Sequence, residues 1–187
     1  MRTTPPDHYL VVDFEATCDD RGTVPRHEME IIEIGAVRVD GTTLEPIDDF
    51  AAFIRPVRHP RLTEFCHGLT TITQEQVDAA PSFPAVAESL RAWVEERPGR
   101  AVFSSWGDYD RKQLAQDCAF HSVASPLPEE HVNLKALFAE RRGLRRGVGM
   151  GKALRMMDLP LEGTHHRGID DARNIARLLP AIVGEAR

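Results

Sequence analysis

No apolar run in these 187 residues approaches the ~20 needed to cross a bilayer. The N-terminal MRTTPPDHY also lacks the charged region, apolar stretch and small-residue cleavage site of a secretory signal. These two absences argue against a membrane partner and against secretion, so a cytoplasmic chain is expected. Cysteine is scarce. Cys18, Cys66 and Cys118 are odd in number, far apart and without CxxC spacing, which argues against a disulfide framework and a zinc cage and fits reduced thiols. A basic surplus is missing as well: the formal net charge of -6 has the wrong sign for a protein that coats nucleic acid through a broad basic face. Any nucleic-acid substrate must therefore be gripped locally.

What is present reads as one globular domain over residues 1–187, with a core from about 8 to 183. Hydrophobic residues at 42% and charged residues at 28% are the proportions of a chain that can bury a core, and no linker, internal repeat or low-complexity tract interrupts it. Tyr9 to Phe14 (YLVVDF) is a short, nearly continuous apolar run, which suits a central strand buried on both faces. Ile31 to Val39 is rich in β-branched residues and ends at Asp40-Gly41, a turn signal into a third strand near Phe50 to Ile54. Pro56 and Pro60 break the pattern before Thr73, where TQEQ is a weaker form of the helix-start capping box. Val86, Leu90, Trp93 and Val94 recur at helical spacing after Pro84, Pro98-Gly99 stops that helix, and Ala101 to Ser104 is a fourth strand. Helical patterns follow over Leu114 to Phe120, Leu134 to Phe138, Leu154 to Met157 and Ile175 to Leu179. A meander followed by alternating helices and strands predicts an α/β class with a mixed central sheet flanked by helices.

Three acidic fragments stand out. Asp13 and Glu15 lie two apart at the end of the first strand, so period-two geometry points both carboxylates to one side. Two such charges beside apolar neighbours resist burial unless a cation lies between them, and a hard divalent ion with oxygen ligands is the natural compensator. Taken alone, an Asp-x-Glu is more often a pair of solvated carboxylates. Trp106 to Asp110 (WGDYD) opens a helix, where two aspartates could equally be a plain cap. His165-His166-Arg167-Gly168-Ile169-Asp170-Asp171 starts another helix and sets a titratable ring five residues before a carboxylate, an arrangement suited to a proton acceptor beside a metal ligand.

Together, Asp13-Phe14-Glu15, Tyr109-Asp110 and His166 to Asp171 resemble the motifs of the DEDDh (DnaQ-like) 3′-5′ exonucleases. The connecting segments IIEIGAVRVDG, FCHGLTTITQEQVDAAPSF and HHRGIDDARNIARL resemble the branch of the histone-mRNA and RNA-interference-related 3′ exonucleases and the bacterial KapD-like proteins. The resemblance spans Tyr9 to Leu179 and implies an RNase H-like fold. The family's aromatic residue before the third carboxylate favours Asp110 over Asp108. Its Asp-Ala step into the last helix favours His166 with Asp171 over His165 with Asp170.

The resemblance further implies two Mg²⁺ or Mn²⁺ ions held by Asp13, Glu15, Asp110 and Asp171, with His166 as general base. The substrate would be single-stranded nucleic acid with a free 3′ end, RNA before DNA, and the product a nucleoside monophosphate. Phe14, Ala16, Thr17 and Leu69 would pack on the terminal nucleotide, although Leu69 reads equally well as a core leucine. Gly163 and Gly168 bracket His166 and could let its loop move. Arg141, Arg142, Arg145 and Arg146 form the only dense basic cluster, a candidate phosphate track that is also readable as a solvated helix end. Two other classes compete: a catalytically dead RNA-end clamp, at odds with the intact motif residues, and a zinc site from His121, His131, His165 and His166, which no HxxxH or HExxH spacing supports.

Overall fold

Side chains of the first strand alternate between two cores, and that alternation organises the molecule. In the computed structural model, which describes residues 5–184, β1 runs His8–Ala16. Residues 1–4 and 185–187 of the expected domain, including the start of the leaderless N-terminal stretch, lie outside the described residues. Leu10, Val12 and Phe14 pack with Phe83, Val86, Leu90, Trp93 and Leu114, whereas Tyr9 and Val11 pack with Leu134, Phe138, Leu154 and Ile175 on the other face. The first set of helices is α3 (Phe83–Glu95) and α4 (Tyr109–His121); the second is α5 (Leu134–Arg141), α6 (Met150–Met156) and α7 (Gly168–Val183). A sheet covered on both faces explains why β1 and β2 (Ile31–Asp40) carry near-continuous apolar runs.

The sheet is mixed and five-stranded, in the order β3-β2-β1-β4-β5. β1, β2 and β3 (Pro46–Phe53) form the expected antiparallel meander, and β4 (Ala101–Ser105) and β5 (His131–Asn133) add on in parallel. The α/β class and the RNase H-like architecture are thus as expected. The Asp40-Gly41 turn is closed by Asp40 Oδ1, which accepts from the backbone of Thr42 and Thr43. TQEQ forms its capping box at the start of α2 (Gln74–Asp78). A short helix, α1 (Glu64–Thr70), precedes it, capped by Thr63. Among the described residues no helix is long and apolar enough to cross a membrane.

Two glycines set how closely α7 approaches the sheet. A Cβ on Gly35 would lie 2.1 Å from the Gly168 carbonyl carbon, and one on Gly168 would lie 3.0 Å from the Asp13 carbonyl oxygen. Only paired glycines let the first turn of α7 touch β1 and β2 this closely. The last motif is thereby brought against the first.

Candidate active site

β1 continues two residues past Phe14, so Asp13 and Glu15 sit within the strand, on the row begun by Tyr9 and Val11. They face the N-terminal end of α7, where Asp171 is buried. Carboxylate oxygens of Asp13, Glu15 and Asp171 all lie within 4.8 Å of one another. From the other side, Gly107 at φ 125° lets the chain turn out of β4 into α4, and Asp110 Oδ1 accepts the Phe14 backbone N–H at 3.0 Å. These four carboxylates line one cleft of about 450 Å³. Asp108 does not line it: it is exposed and sits 3.8 Å from Arg111.

Crowding shows in the acidities. Burial, then the charges of Asp110, Glu15, Asp171 and Glu33, hold Asp13 well above the usual carboxylate range. Burial and the same like charges push Glu15 up to about 8. Burial raises Asp110 to about 6, against the bond it accepts from Phe14, and raises Asp171 as well. Among the described residues no cation or donor is hydrogen-bonded to the carboxylate of Asp13 or Glu15. Hard oxygen ligands that crowd together without a counter-charge suit a divalent cation. Neither a cysteine nor a cluster of histidines is part of that set of four.

The two histidines divide their contacts. His165 Nδ1 lies 2.9 Å from Asp171 Oδ2, and the His166 backbone N–H donates to the same oxygen at 3.0 Å. Their rings stack at 4.0 Å, and both line the cleft. His166 holds a left-handed φ of 63°, a conformation uncommon outside glycine and sustained here by its bond to Asp171. Burial and the adjacent His165 lower the His166 pKa. Asp170 lies outside the cleft, where it caps the Thr164 N–H at 2.8 Å. His121 stacks on Phe83 and His131 bonds Ser105, so neither joins the other two.

Phe14, Ala16 and Leu69 line the cleft, and Leu69 is exposed rather than a core leucine. Thr17 does not line it; it is buried behind, exchanging backbone and hydroxyl hydrogen bonds with Glu30. Of the four clustered arginines, all exposed, none lines the cleft. Arg142 lines a separate cavity with Met157 and Arg177. The expected mobility at Gly163 and Gly168 is corrected by packing: Gly168 is wedged against Gly35, and a Cβ on Gly163 would strike the Asp170 carboxylate at 2.4 Å.

Cys18, Met29, Trp106, Tyr109, Gly149 and Met150 also line the cleft and were not singled out as site residues from the sequence. Met29 is fixed by Gln113 and Gln116, which both donate to its carbonyl. Glu33 is the larger omission. It takes two bonds from Arg167 and one from the Gly168 N–H, pinning the start of α7 to β2. A lone charge inside the apolar IIEIGAV was the signal for it.

A mixed sheet with a buried carboxylate cleft at the end of its central strand defines a class of RNase H-like nucleases. The RNase_T exonuclease family model matches residues 10–179, and the chain belongs to that family, among its DEDDh members. Bovine (Bos taurus) ERI1 exoribonuclease 3 is 33% identical over 97% of this chain, which spans 56% of that relative's length. The chain thus covers about half of several of the curated relatives it matches. The probable 3′-5′ exonuclease KapD of Bacillus subtilis is 31% identical, over 92% of this chain and 83% of the relative. The nuclease domain of 3′hExo, a DEDDh family member bound to rAMP, superposes with a TM-score of 0.86 at 31% identity, over 93% of this chain and 90% of the other. Membership of this family implies divalent metal ions.

Proposed function

We propose that residues 1–187 form a single catalytic domain that removes nucleoside monophosphates one at a time from the free 3′ end of single-stranded nucleic acid, RNA in preference to DNA. The observation that carries this is the cleft where Asp13, Glu15, Asp110 and Asp171 converge with raised acidities and no protein cation on Asp13 or Glu15. Relatives named exoribonucleases and a neighbour holding rAMP support the choice of substrate.

Asp13, Glu15 and Asp171 offer oxygens to one cation, and Asp13 with Asp110 to a second; Mg²⁺ or Mn²⁺ fits such ligands. When bound, such a pair neutralises the phosphodiester and eases loss of a proton from an attacking water. His166 accepts that proton on a ring nitrogen. Its lowered pKa keeps the ring neutral near pH 7, which a base requires. His165 orients Asp171 through its 2.9 Å contact and supports the ring of His166 by stacking. Phe14, Ala16 and Leu69 give the terminal nucleotide an apolar seat and exclude water around it. Arg145 and Arg146 precede Gly149 and Met150 at the cleft wall and are the members of the basic cluster suited to meet upstream phosphates.

The test uses matched single-stranded RNA and DNA labelled at the 5′ end. Stepwise shortening is expected with Mg²⁺ or Mn²⁺, loss of activity with a chelator, and a block by a 3′-phosphate. Cutting a circular single strand as fast as a linear one would overturn the exonuclease reading.

A further inference from the structure

Of the three free cysteines, two meet at the cleft and the third does not. Cys118 lies on α4 in the core beneath the opposite face of the sheet. Cys18, half-buried, lines the cleft three residues after Glu15. Its thiol is hydrogen-bonded to that of Cys66, a fully buried residue of α1. Cys66 Sγ in turn donates to the Ala16 carbonyl at 3.6 Å, and Thr63 Oγ1 donates to the Cys18 carbonyl at 2.7 Å. The end of β1 and the start of α1 are therefore stapled together around this sulfur pair. Both stapled elements supply cleft walls, since Ala16 and Cys18 come from one and Leu69 from the other.

We propose that Cys18 and Cys66 form a reversible peroxide-responsive disulfide, and that its formation reshapes the cleft wall between Ala16 and Leu69. The pair meets the first requirement of a disulfide, sulfurs already in contact on side chains that face each other. One sulfur is reachable through the cleft, and its neighbour is sheltered as the resolving thiol. The hydrogen bond from Cys18 draws Cys66 down to about 7, so its thiolate is available near neutral pH. In the first step the peroxide O–O bond breaks as an S–O bond forms on Cys18. The second peroxide oxygen leaves as water, with the Cys18 thiol proton as one of its hydrogens. In the second step Cys66 attacks that sulfenic sulfur: the S–S bond forms, the S–O bond breaks, and hydroxide takes the Cys66 proton to leave as water. Two thiols lose two electrons, hydrogen peroxide gains them, and two waters result.

A covalent bond is shorter than a thiol hydrogen bond, so closing it draws Cys18 out of the cleft wall and moves the segment that follows Glu15. Displacements of about 1 Å near a reacting centre lower turnover by as much as about 10²-fold. The effect on turnover rests on the function proposed above; the bridge itself does not.

The experiment treats the full chain with hydrogen peroxide, blocks residual thiols, and maps peptides without reduction while turnover is followed on 5′-labelled RNA. Expected are a Cys18–Cys66 cross-linked peptide and a loss of turnover of about tenfold that dithiothreitol reverses. Cys118→Ser should keep the response, and Cys18→Ser should lose it. Cys66→Ser adds a second check but alters a buried site. The proposal is overturned by the absence of that peptide after oxidation or by a bridge to Cys118 instead. Turnover that is equal before and after a confirmed bridge removes control of the cleft. A bridge in a chain with no nuclease activity in either state sinks the proposed function and leaves the modification site standing.

Discussion

Glu15 and Glu33 face each other across neighbouring strands, and both are buried. Their surroundings differ completely. Glu33 receives two bonds from Arg167 and one from the Gly168 N–H, a bidentate pairing closed by a backbone donor. Glu15 has three carboxylates nearby and, among the described residues, no hydrogen-bonded donor, and it is pushed up to about 8. A buried acid is stable when its counter-charge is built into the fold, as for Glu33. One that lacks it waits for a counter-charge from outside. That difference separates the residue that assembles the site from the residues that use it. The pin holds α7 against β1, and the unpaired acids define where a cation belongs.

The largest expected effects fall on the unpaired side. Asp13→Ala should lower kcat by about 10³-fold or more, and Mg²⁺ should no longer raise the melting temperature. His166→Ala should cost about 10²- to 10⁴-fold in kcat with little change in substrate binding or in metal titration. His165→Ala should cost much less. A reversed ranking of the two histidines, with Asp170→Ala more damaging than Asp171→Ala, would transfer the roles to His165 and Asp170.

The motifs were legible because each is local: DFE, YD and HHRGIDD each fall within one strand end or one helix start. The pin was not, because Glu33 and Arg167 are separated by most of the chain and no period links them. Charge also hid element boundaries. Glu15 masks the continuation of β1 to Ala16, and Asp48 with Asp49 masks the first half of β3, an edge strand that tolerates them. Helix α1 and strand β5, at seven and three residues, are too short for a periodicity to register. Gly168 shows the limit of reading glycine as freedom, because its packing against Gly35 fixes the backbone in place.

Two stability measurements on metal-free protein break or sharpen the contrast between the glutamates. Glu33→Gln leaves the Arg167 guanidinium without its buried partner and should destabilise the fold by about 3 kcal/mol. It should also weaken metal binding, since α7 then loses its anchor. Glu15→Gln removes a like charge from the cleft and should stabilise the metal-free protein by about 1 kcal/mol, or about 3 °C in Tm. Equal losses of Tm for both variants would mean that Glu15 has a partner in the fold, and the contrast would be gone.

The smallest expected effect is a slope of stability with pH. Burial and like charge raise Glu15 from an ordinary 4.5 to about 8, and raise Asp110 to about 6. Between the ordinary and raised values the folded chain keeps protons that the unfolded chain has released. Stability then falls as pH rises, the reverse of an ordinary salt-bridged carboxylate. His166, whose pKa is lowered, acts in the opposite sense just below its usual value and offsets part of the slope. A bound divalent cation favours the charged carboxylates and should flatten the trend. Asp117, raised by burial to about 6 and bonded to Gln113 away from the cleft, sets a control. Its share should persist whether or not metal is present. Melting temperatures taken from about pH 5 to about pH 8 should therefore fall in excess chelator and fall much less with Mg²⁺. A slope equally steep in both conditions would mean that the unpaired carboxylates do not hold the metal, even though Glu33 still pins the helix beside them.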